Sequence, residues 1–593
     1  MRITYKNRLL EKVLIGVNVL AAAAVVATFV ALFGFDKPLL PTGLLYTAQV
    51  ALLFVFVGEK IARFLNAASK AEFWQTHWFE IPLLLALALV VSGAGSWFAK
   101  ANPAAVQHPA VGVYLVLQVV LKLCRTSVNM AASGRSPMRT LIASFLVLIL
   151  SGAGVLMLPR ASTGEGLGFV DALFSATSAT CVTGLTVKDT GRDFSLMGQV
   201  VILALIQLGG LGIVIFSAVL ALLLGQAFSL RESVAMQDLL SETTLSRIGN
   251  MIVFVFVVTV SVEAAGAVGL LTMWDDVPGR VTDIQQKLFC SIFHSISAFC
   301  NAGLGLFSDS FVSYNRSWAV YVVICPLIVL GGLGFGVLYD LVGVAADRLT
   351  RLFKNGGRRF QLEASAPKKM QLQTKIVLSV TAGLIIVGAL GLFFFEWCTG
   401  RSDSAAKFGV LDGLFQSITA RTAGFNTVDI AALSASSKVI LILLMFIGGS
   451  PGGTAGGIKT VTLALVIMAV VAVLRRRSEV EMFKRSVGLT VIGKAFTVTL
   501  LFFVVLLATS LALSVTENAN GFTMLQIIFE ASSALGTVGL STGITASLTT
   551  AGKLIIIAVM VFGRLGPLTL LAALTFNPRP VRYNYPEEAV LVG

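Results

Sequence analysis

The chain has 593 residues, of which 56% are hydrophobic and only 12% charged. A soluble globule carries roughly 25% charged residues. Half that density leaves a soluble surface of this size uncovered, so composition excludes a soluble globule and points to a polytopic membrane protein. On a soluble chain the formal net charge of +14 would suggest nucleic acid. Here its distribution along the chain sets orientation instead.

Six cysteines (Cys124, Cys181, Cys290, Cys300, Cys325, Cys398) include no CxxC pair, and most lie in or beside apolar runs. A disulfide framework and a zinc site are both disfavoured. Only three histidines occur (His77, His108, His294), none at metal-ligand spacing.

A span needs roughly 20 apolar residues. Four runs come early, at 12–34, 41–58, 80–99 and 110–126. The first follows MRITYKNRLLEK and lacks a small-residue cleavage pattern, which Ala21–Ala24 only weakly imitates, so it reads as an uncleaved span. Pairs follow at 139–159 and 198–224, 249–272 and 317–343, 374–396 and 436–474, and 490–515 and 551–575. The 436–474 run is too long for one straight span and is broken by GGSPGGTAGGIK. With the N-terminus inside, EKIARFLNAASK, SGRSPMRT, DRLTRLFKNGGRRF, APKKMQLQTK and LRRRSEVEMFKR all fall on the inner side. Basic residues favour the cytoplasm, so both termini are expected there.

The later blocks repeat. After each first span comes an apolar segment too short to cross: Phe174–Leu185, Phe293–Leu304, Phe415–Phe425 and Phe529–Leu540. Each starts with Phe, carries Ser, Thr and Ala on a short helix, and ends around a glycine. Those glycines are Gly184, Gly303, Gly424 and Gly539, separated by 119, 121 and 115 residues. The third segment is one residue shorter from Phe to Gly. A second glycine motif follows each after 24 to 28 residues: Gly209–Gly212, Gly331–Gly334, GGSPGGTAGG from Gly448, and GRLGP from Gly563. Glycine there permits a kink or a close helix approach.

Four re-entrant loops on one chain meet the requirement of a cation filter. Rings of backbone carbonyls can replace an ion's hydration water. Glycine reaches the left-handed backbone without a Cβ penalty, and the short helices aim their negative C-terminal ends at the centre. The filter candidates are Cys181, Val182, Thr183 and Gly184; Cys300, Asn301, Ala302 and Gly303; Arg421, Thr422, Ala423 and Gly424; and Gly536, Thr537, Val538 and Gly539. No Asp/Glu ring is present. Arg421 is the odd member, and anchoring its loop from behind is one reading of it. Six glycines between Gly448 and Gly457 do not sustain a helix. A flexible segment under a cation filter is where a gate would act.

These loops, CVTGL, CNAGL, RTAGF and GTVGLSTG, resemble those of the superfamily of potassium transporters that includes TrkH, KtrB and the plant HKT proteins. The resemblance covers residues from about Arg135 to Gly593, including Tyr585–Glu588, and RTAGFNTVD and GGSPGGTAGGIKT look closer to KtrB and its Trk-type relatives. It implies an all-α integral membrane protein with four pseudo-repeated helix–pore loop–helix units around one pore, here with about four additional N-terminal transmembrane helices. It implies a potassium-selective uptake channel-like transporter in the plasma membrane, potassium as the transported ion and no organic cofactor on this chain. The implied gate comprises Gly448, Gly449, Ser450, Pro451, Gly452, Gly453, Thr454, Gly456, Gly457, Lys459 and Arg564, with Arg564 facing the loop in the cavity. Gly184 matches the position where some sodium-transporting plant members carry Ser. Implied partners are a second copy, in a homodimer, and a cytoplasmic ring of nucleotide-binding TrkA/KtrA-like regulatory subunits.

The expected organisation is an N-terminal extension at 1–132, then repeats at 133–230, 231–350, 351–485 and 486–593. Glu59 and Arg63 in the extension faintly resemble part of a voltage sensor, but Lys122 and Arg125 are too few for one and read as inner-end anchors. Gly448–Gly457 could be an inert kink, Arg564 a cap or bundle pair, and Lys459 a snorkelling inner-side residue. Glu263 reads as paired in the bundle. Asp171, Asp412 and Glu530 read as residues near the short-helix starts that cap or stabilise them. Cys181 and Cys300 read as small filter-backing residues, and His294 as hydrogen-bonded structure. The alternative functions are a general Na+/K+ transporter and a Na+-coupled solute symporter. An enzyme would need a clustered nucleophile, His pair or carboxylate pair, and none is present.

Overall fold

The computed structural model describes residues 6–70, 73, 110–112, 114, 115, 118, 137–164, 166–212, 248–354, 368–399, 408–477 and 479–566. Two apolar helices come first, α1 (Arg8–Phe33) and α2 (Thr42–Asn66). Asn7 caps α1 by accepting from Leu9 and Leu10 N–H, and its own N–H donates to Asn66 Oδ1 at the end of α2. Buried Glu59 pairs with Arg63 one turn along α2. The expected span at 80–99, and Lys122 and Arg125, lie outside the described residues.

Four units follow. Each opens with a long helix: α3 (Pro137–Leu156), α6 (Ile248–Leu270), α10 (Leu372–Cys398) and α14 (Leu489–Thr516). Each continues with a short helix: α4 (Phe169–Thr180), α7 (Ile284–Phe299), α11 (Val410–Thr419) and α15 (Met524–Gly536). After a glycine loop, the chain returns through α5 (Leu196–Leu211), α8 (Cys325–Leu333, entered by a π turn at Val320–Ile324), α12 (Ala435–Phe446) and α16 (Thr550–Leu565). Three return helices start alike, on Ser195, Ser434 and Thr549, whose side-chain oxygens accept from the N–H three residues on. That is ordinary N-capping.

Each short helix carries one of the repeated phenylalanines, and Phe174, Phe293, Phe415 and Phe529 are all fully buried. Hydroxyls on these helices bond backward one turn, as Ser175 does to Asp171 O and Thr177 to Leu173 O. These two hydroxyls thus find acceptors inside an apolar bundle. Return helices pack on the short helix of the next unit: α5 on α7, α8 on α11, α12 on α15, and α16 back on α4. The last contact closes the four units around one axis.

The second glycine motif explains the closeness of packing. A Cβ on Gly209, Gly331 or Gly563 would collide with the carbonyl of Thr180, Phe299 or Leu535, the equivalent last turn of the short helix in its own unit. The motif also stops the return helices. Gly212, Gly334 and Gly566 share φ of +79°, +85° and +81°.

At Gly334 the stop corrects the expectation of one span over 317–343. The chain turns by 103° into α9 (Phe335–Lys354), because a left-handed residue cannot continue a right-handed helix. The 436–474 run is interrupted as expected: α12 ends at Phe446 and α13 (Thr460–Leu474) begins after a loop. A two-stranded hairpin, β1 (Val480–Met482) with antiparallel β2 (Arg485–Val487), then leads into α14. The expected boundary at 350/351 falls in the last turn of α9, and that at 485/486 inside β2. By length and composition, five described helices can each cross a membrane, or six with the bent α8–α9 pair.

Candidate functional site

The four loop glycines meet at the axis. A Cβ built on Gly184 would lie 2.5 Å from Ala302 O and 3.2 Å from the Cα atoms of Gly303 and Gly539. On Gly303 it would lie 2.5 Å from Ala423 O, and on Gly424 and Gly539 closer still to Val538 O and Thr183 O. Every glycine therefore faces the carbonyl preceding the glycine of the next unit, in the cyclic order 184, 303, 424, 539. Their φ values are +91°, +66°, +82° and +93°. Any side chain here would be strained and would strike backbone.

A second left-handed residue stands two positions earlier in each loop: Val182, Asn301, Thr422 and Thr537, at φ of +56°, +59°, +81° and +51°. Three of these are β-branched, for which a positive φ is a genuine outlier. Strain of this kind persists only where the surroundings over-determine it. The surroundings include one hydroxyl per unit, always four residues after the phenylalanine. Ser178 and Ser533 Oγ accept from the N–H of Gly184 and Gly539, both at 3.1 Å. Ser297 Oγ and Thr419 Oγ1 donate to the carbonyls just after the glycines, Leu304 O and Phe425 O, both at 2.7 Å. Among the described residues, the carbonyls of 182–184, 301–303, 422–424 and 537–539 accept no hydrogen bond. Buried carbonyls normally have a partner. A ring that leaves them open can coordinate a cation stripped of water.

On one side the ring opens to a cavity of about 420 Å³, lined by all four glycines and by Lys188, Asp189 and Asp193 among others. Phe307 and Ser308 stand on its rim, where Arg280 lies over the Phe307 ring and pairs with Asp309. Burial pushes the Asp309 carboxyl up, but Arg280 and Ser313 outweigh it and hold the group below the usual carboxylate range.

The other side is covered by the loop at 447–459. Its ends are tied together by Gly448 N–H to Ile458 O and Ile458 N–H to Phe446 O. It bonds to the second unit, packs on the fourth and is linked to the first through Arg564. Ser450 and Thr454 N–H donate to Gly332 O and Gly331 O, Phe335 N–H donates to Gly452 O, and the Thr454 hydroxyl donates to Phe299 O. Gly456 lies against Gly536 O and the Thr537 hydroxyl. Arg564 donates to Thr454 O in the loop and to Gly209 O and Gly210 O of the first unit. Arg421 Nη2 reaches Gly448 O. Lys459 Nζ turns back onto Ala455 O at 2.7 Å, within the loop, rather than snorkelling outward.

Other residues singled out from the sequence fall into place around this core. Arg421 points behind its loop, toward Thr381 on α10. Cys181 and Cys300 are buried. The Cys300 thiol faces Gln207 and Glu263, and Gln207 donates to Glu263 at 3.2 Å. His294 bonds Cys290 O through Nδ1 and accepts from Leu306 N–H at Nε2, a structural role. Asp412 caps α11 through Gly409 N–H. Asp171 stands in the first turn of α4 as expected and pairs with Lys553 of α16 at 2.8 Å. Glu530 is a correction. It lies midway along α15 and accepts from Ser541, Thr542 N–H and Thr545, bracing the chain after the fourth loop. The four supporting hydroxyls were missed, although aligning the four segments on phenylalanine exposes them.

The TrkH family model, described as a cation transport protein, matches residues 110–580. The chain belongs to this family. Its members are cation transporters of the membrane, not enzymes. The match also takes in the fourth early apolar run, at 110–126. Ktr system potassium uptake protein B of Bacillus subtilis is 37% identical over 462 residues, covering 77% of this chain and 97% of that protein. Its counterpart in Vibrio alginolyticus is 37% identical over 464 residues, 78% of this chain and 96% of that one. Potassium/sodium uptake protein NtpJ of Enterococcus hirae is 34% identical over 467 residues, 77% and 97%. The crystal structure of the potassium transporter TrkH from Vibrio parahaemolyticus has the same fold, with a TM-score of 0.57 at 19% identity, covering 84% of this chain and 98% of that one.

Proposed function

We propose that this chain is the ion-translocating subunit of a potassium uptake system in the plasma membrane, with both termini cytoplasmic. The observation that carries the reading is the closed ring of four left-handed glycines, each packed on a carbonyl of the next unit. A dehydrated potassium ion binds at the open carbonyls of the ring, helped by the negative C-terminal ends of the four short helices. The loop at 447–459, with Lys459 and Arg564, is the gate. Two cationic side chains on the cytoplasmic side of the ring raise the electrostatic barrier to a cation while the loop is in place. The chain works as a homodimer, and a cytoplasmic TrkA/KtrA-like ring of nucleotide-binding subunits moves the loop. Relatives named as parts of a Ktr system support a partner of this kind.

A general monovalent cation pathway is the competing reading, favoured by the relative named for both potassium and sodium uptake. Rubidium flux into liposomes, competed by potassium or sodium, decides between them. Strong competition by potassium and little by sodium is expected. Gly184→Ser places a side chain at φ +91° against Ala302 O. It is expected to raise sodium competition on the order of tenfold, equivalent to about 1.4 kcal/mol. An unchanged preference in that variant would remove the filter assignment.

A further inference from the structure

Arg421 stands three residues before its loop glycine, where the other units carry Cys181, Cys300 and Gly536. Three units thus have a small residue at this place and one has a guanidinium. The residue is 8% exposed. No carboxylate pairs with it among the described residues, and its Nε has no partner. A buried charge without a counter-ion is costly and persists where it has a task. Its contacts name that task. Nη2 donates to the Thr381 hydroxyl on α10 and to Gly448 O, both at 3.4 Å. Gly448 is the first glycine of the loop beneath the ring, and a Cβ on it would strike Gly456 O at the loop's other end. A small cavity lined by Arg421, Thr381, Gly332 and Gly449 lies beside the contact. The same guanidinium therefore touches a rigid outer helix and the hinge of the loop, while its backbone leads straight into Thr422 and Gly424 of the ring.

We propose that Arg421 is a positioning residue that couples the 447–459 loop to the ring. With the loop seated, the guanidinium holds the third ring segment between α10 and Gly448. When the loop moves, that hold is released on one side of the ring alone, so ion discrimination depends on the state of the loop. The inference rests on reading the four loops as the filter and 447–459 as the gate.

The test is potassium-over-sodium competition of rubidium flux in four forms of the full chain: wild type, Arg421→Gln, a deletion of 452–457, and both changes together. Coupling predicts a several-fold loss of discrimination from Arg421→Gln in the intact chain and no further loss when the loop is already deleted. Arg421→Lys restores part of the discrimination. The same factor lost in both backgrounds would make Arg421 a simple prop for its loop and overturn the proposal, as would no loss in either. Thr381→Val is the second variant, leaving Arg421 and the loop intact, and the same non-additivity is expected of it. A wild type without potassium preference would remove the filter reading itself. A selective wild type with additive variants would remove only the coupling.

Discussion

The ring depends on a few backbone positions whose conformations ordinary residues avoid. Glycine accounts for half of them. The others, Val182, Asn301, Thr422 and Thr537, are held left-handed by bonds from the loop back to its short helix. Thr183, Ala302 and Val538 N–H all donate five residues back, to Ser178, Ser297 and Ser533 O. In the third unit Ala423 N–H donates four back, to Thr419 O, because that loop is one residue shorter. The hydroxyls of Ser178, Ser297, Thr419 and Ser533 complete the brace. Ser533→Ala leaves the half-buried Gly539 amide without its acceptor, which costs on the order of 1 kcal/mol. A lower melting temperature in detergent and weaker potassium-over-sodium discrimination are expected together. A fall in melting temperature with discrimination intact would mean that the hydroxyl supports the fold and not the ring geometry.

Among the elements, the loop at 447–459 differs from its counterparts. In three units the second glycine motif ends a helix at one left-handed residue. In the third, six glycines let the chain leave the helix, cross beneath the ring and return at Thr460. The interruption was legible because no helix sustains that density of glycine. Its contacts were not, since its bonds to Gly331, Gly332 and Phe299, and the one it accepts from Arg564, join residues more than a hundred positions apart. The same limit hid the bend at Gly334. Removing 452–457 takes away the Gly452, Thr454 and Gly456 contacts together. Rubidium flux is expected to rise on the order of tenfold, about 1.4 kcal/mol of barrier. Flux no higher than wild type would reduce this element to an inert kink.

For the whole molecule, function depends on closing four units into a ring, and the closing contact joins the last unit to the first. Lys553 of α16 pairs with Asp171 of α4, both side chains being a quarter exposed or less. Asp171→Asn and Lys553→Met, alone and together, are expected to reveal a coupling of about 1 kcal/mol in the thermal unfolding of the detergent-solubilised chain. Strictly additive losses would show that the pair does not help close the ring.

What could be read without coordinates was whatever repeats or is local. Apolar run length gave the membrane class, basic loops gave an expected orientation, and four copies of Phe–Ser/Thr–Gly at a period near 120 residues gave the units and their glycines. Repetition makes a weak local signal strong. The three-dimensional arrangement alone decided the direction of side chains that occur once. Arg421 turns behind its loop, Arg564 bridges the first unit and the third, Glu530 braces a segment instead of capping a helix, and Asp171 finds Lys553 across the ring. A lone charged residue inside an apolar bundle takes its direction from whichever distant carbonyl or hydroxyl is within reach. That partner belongs to the packing of the four units, not to the neighbouring sequence.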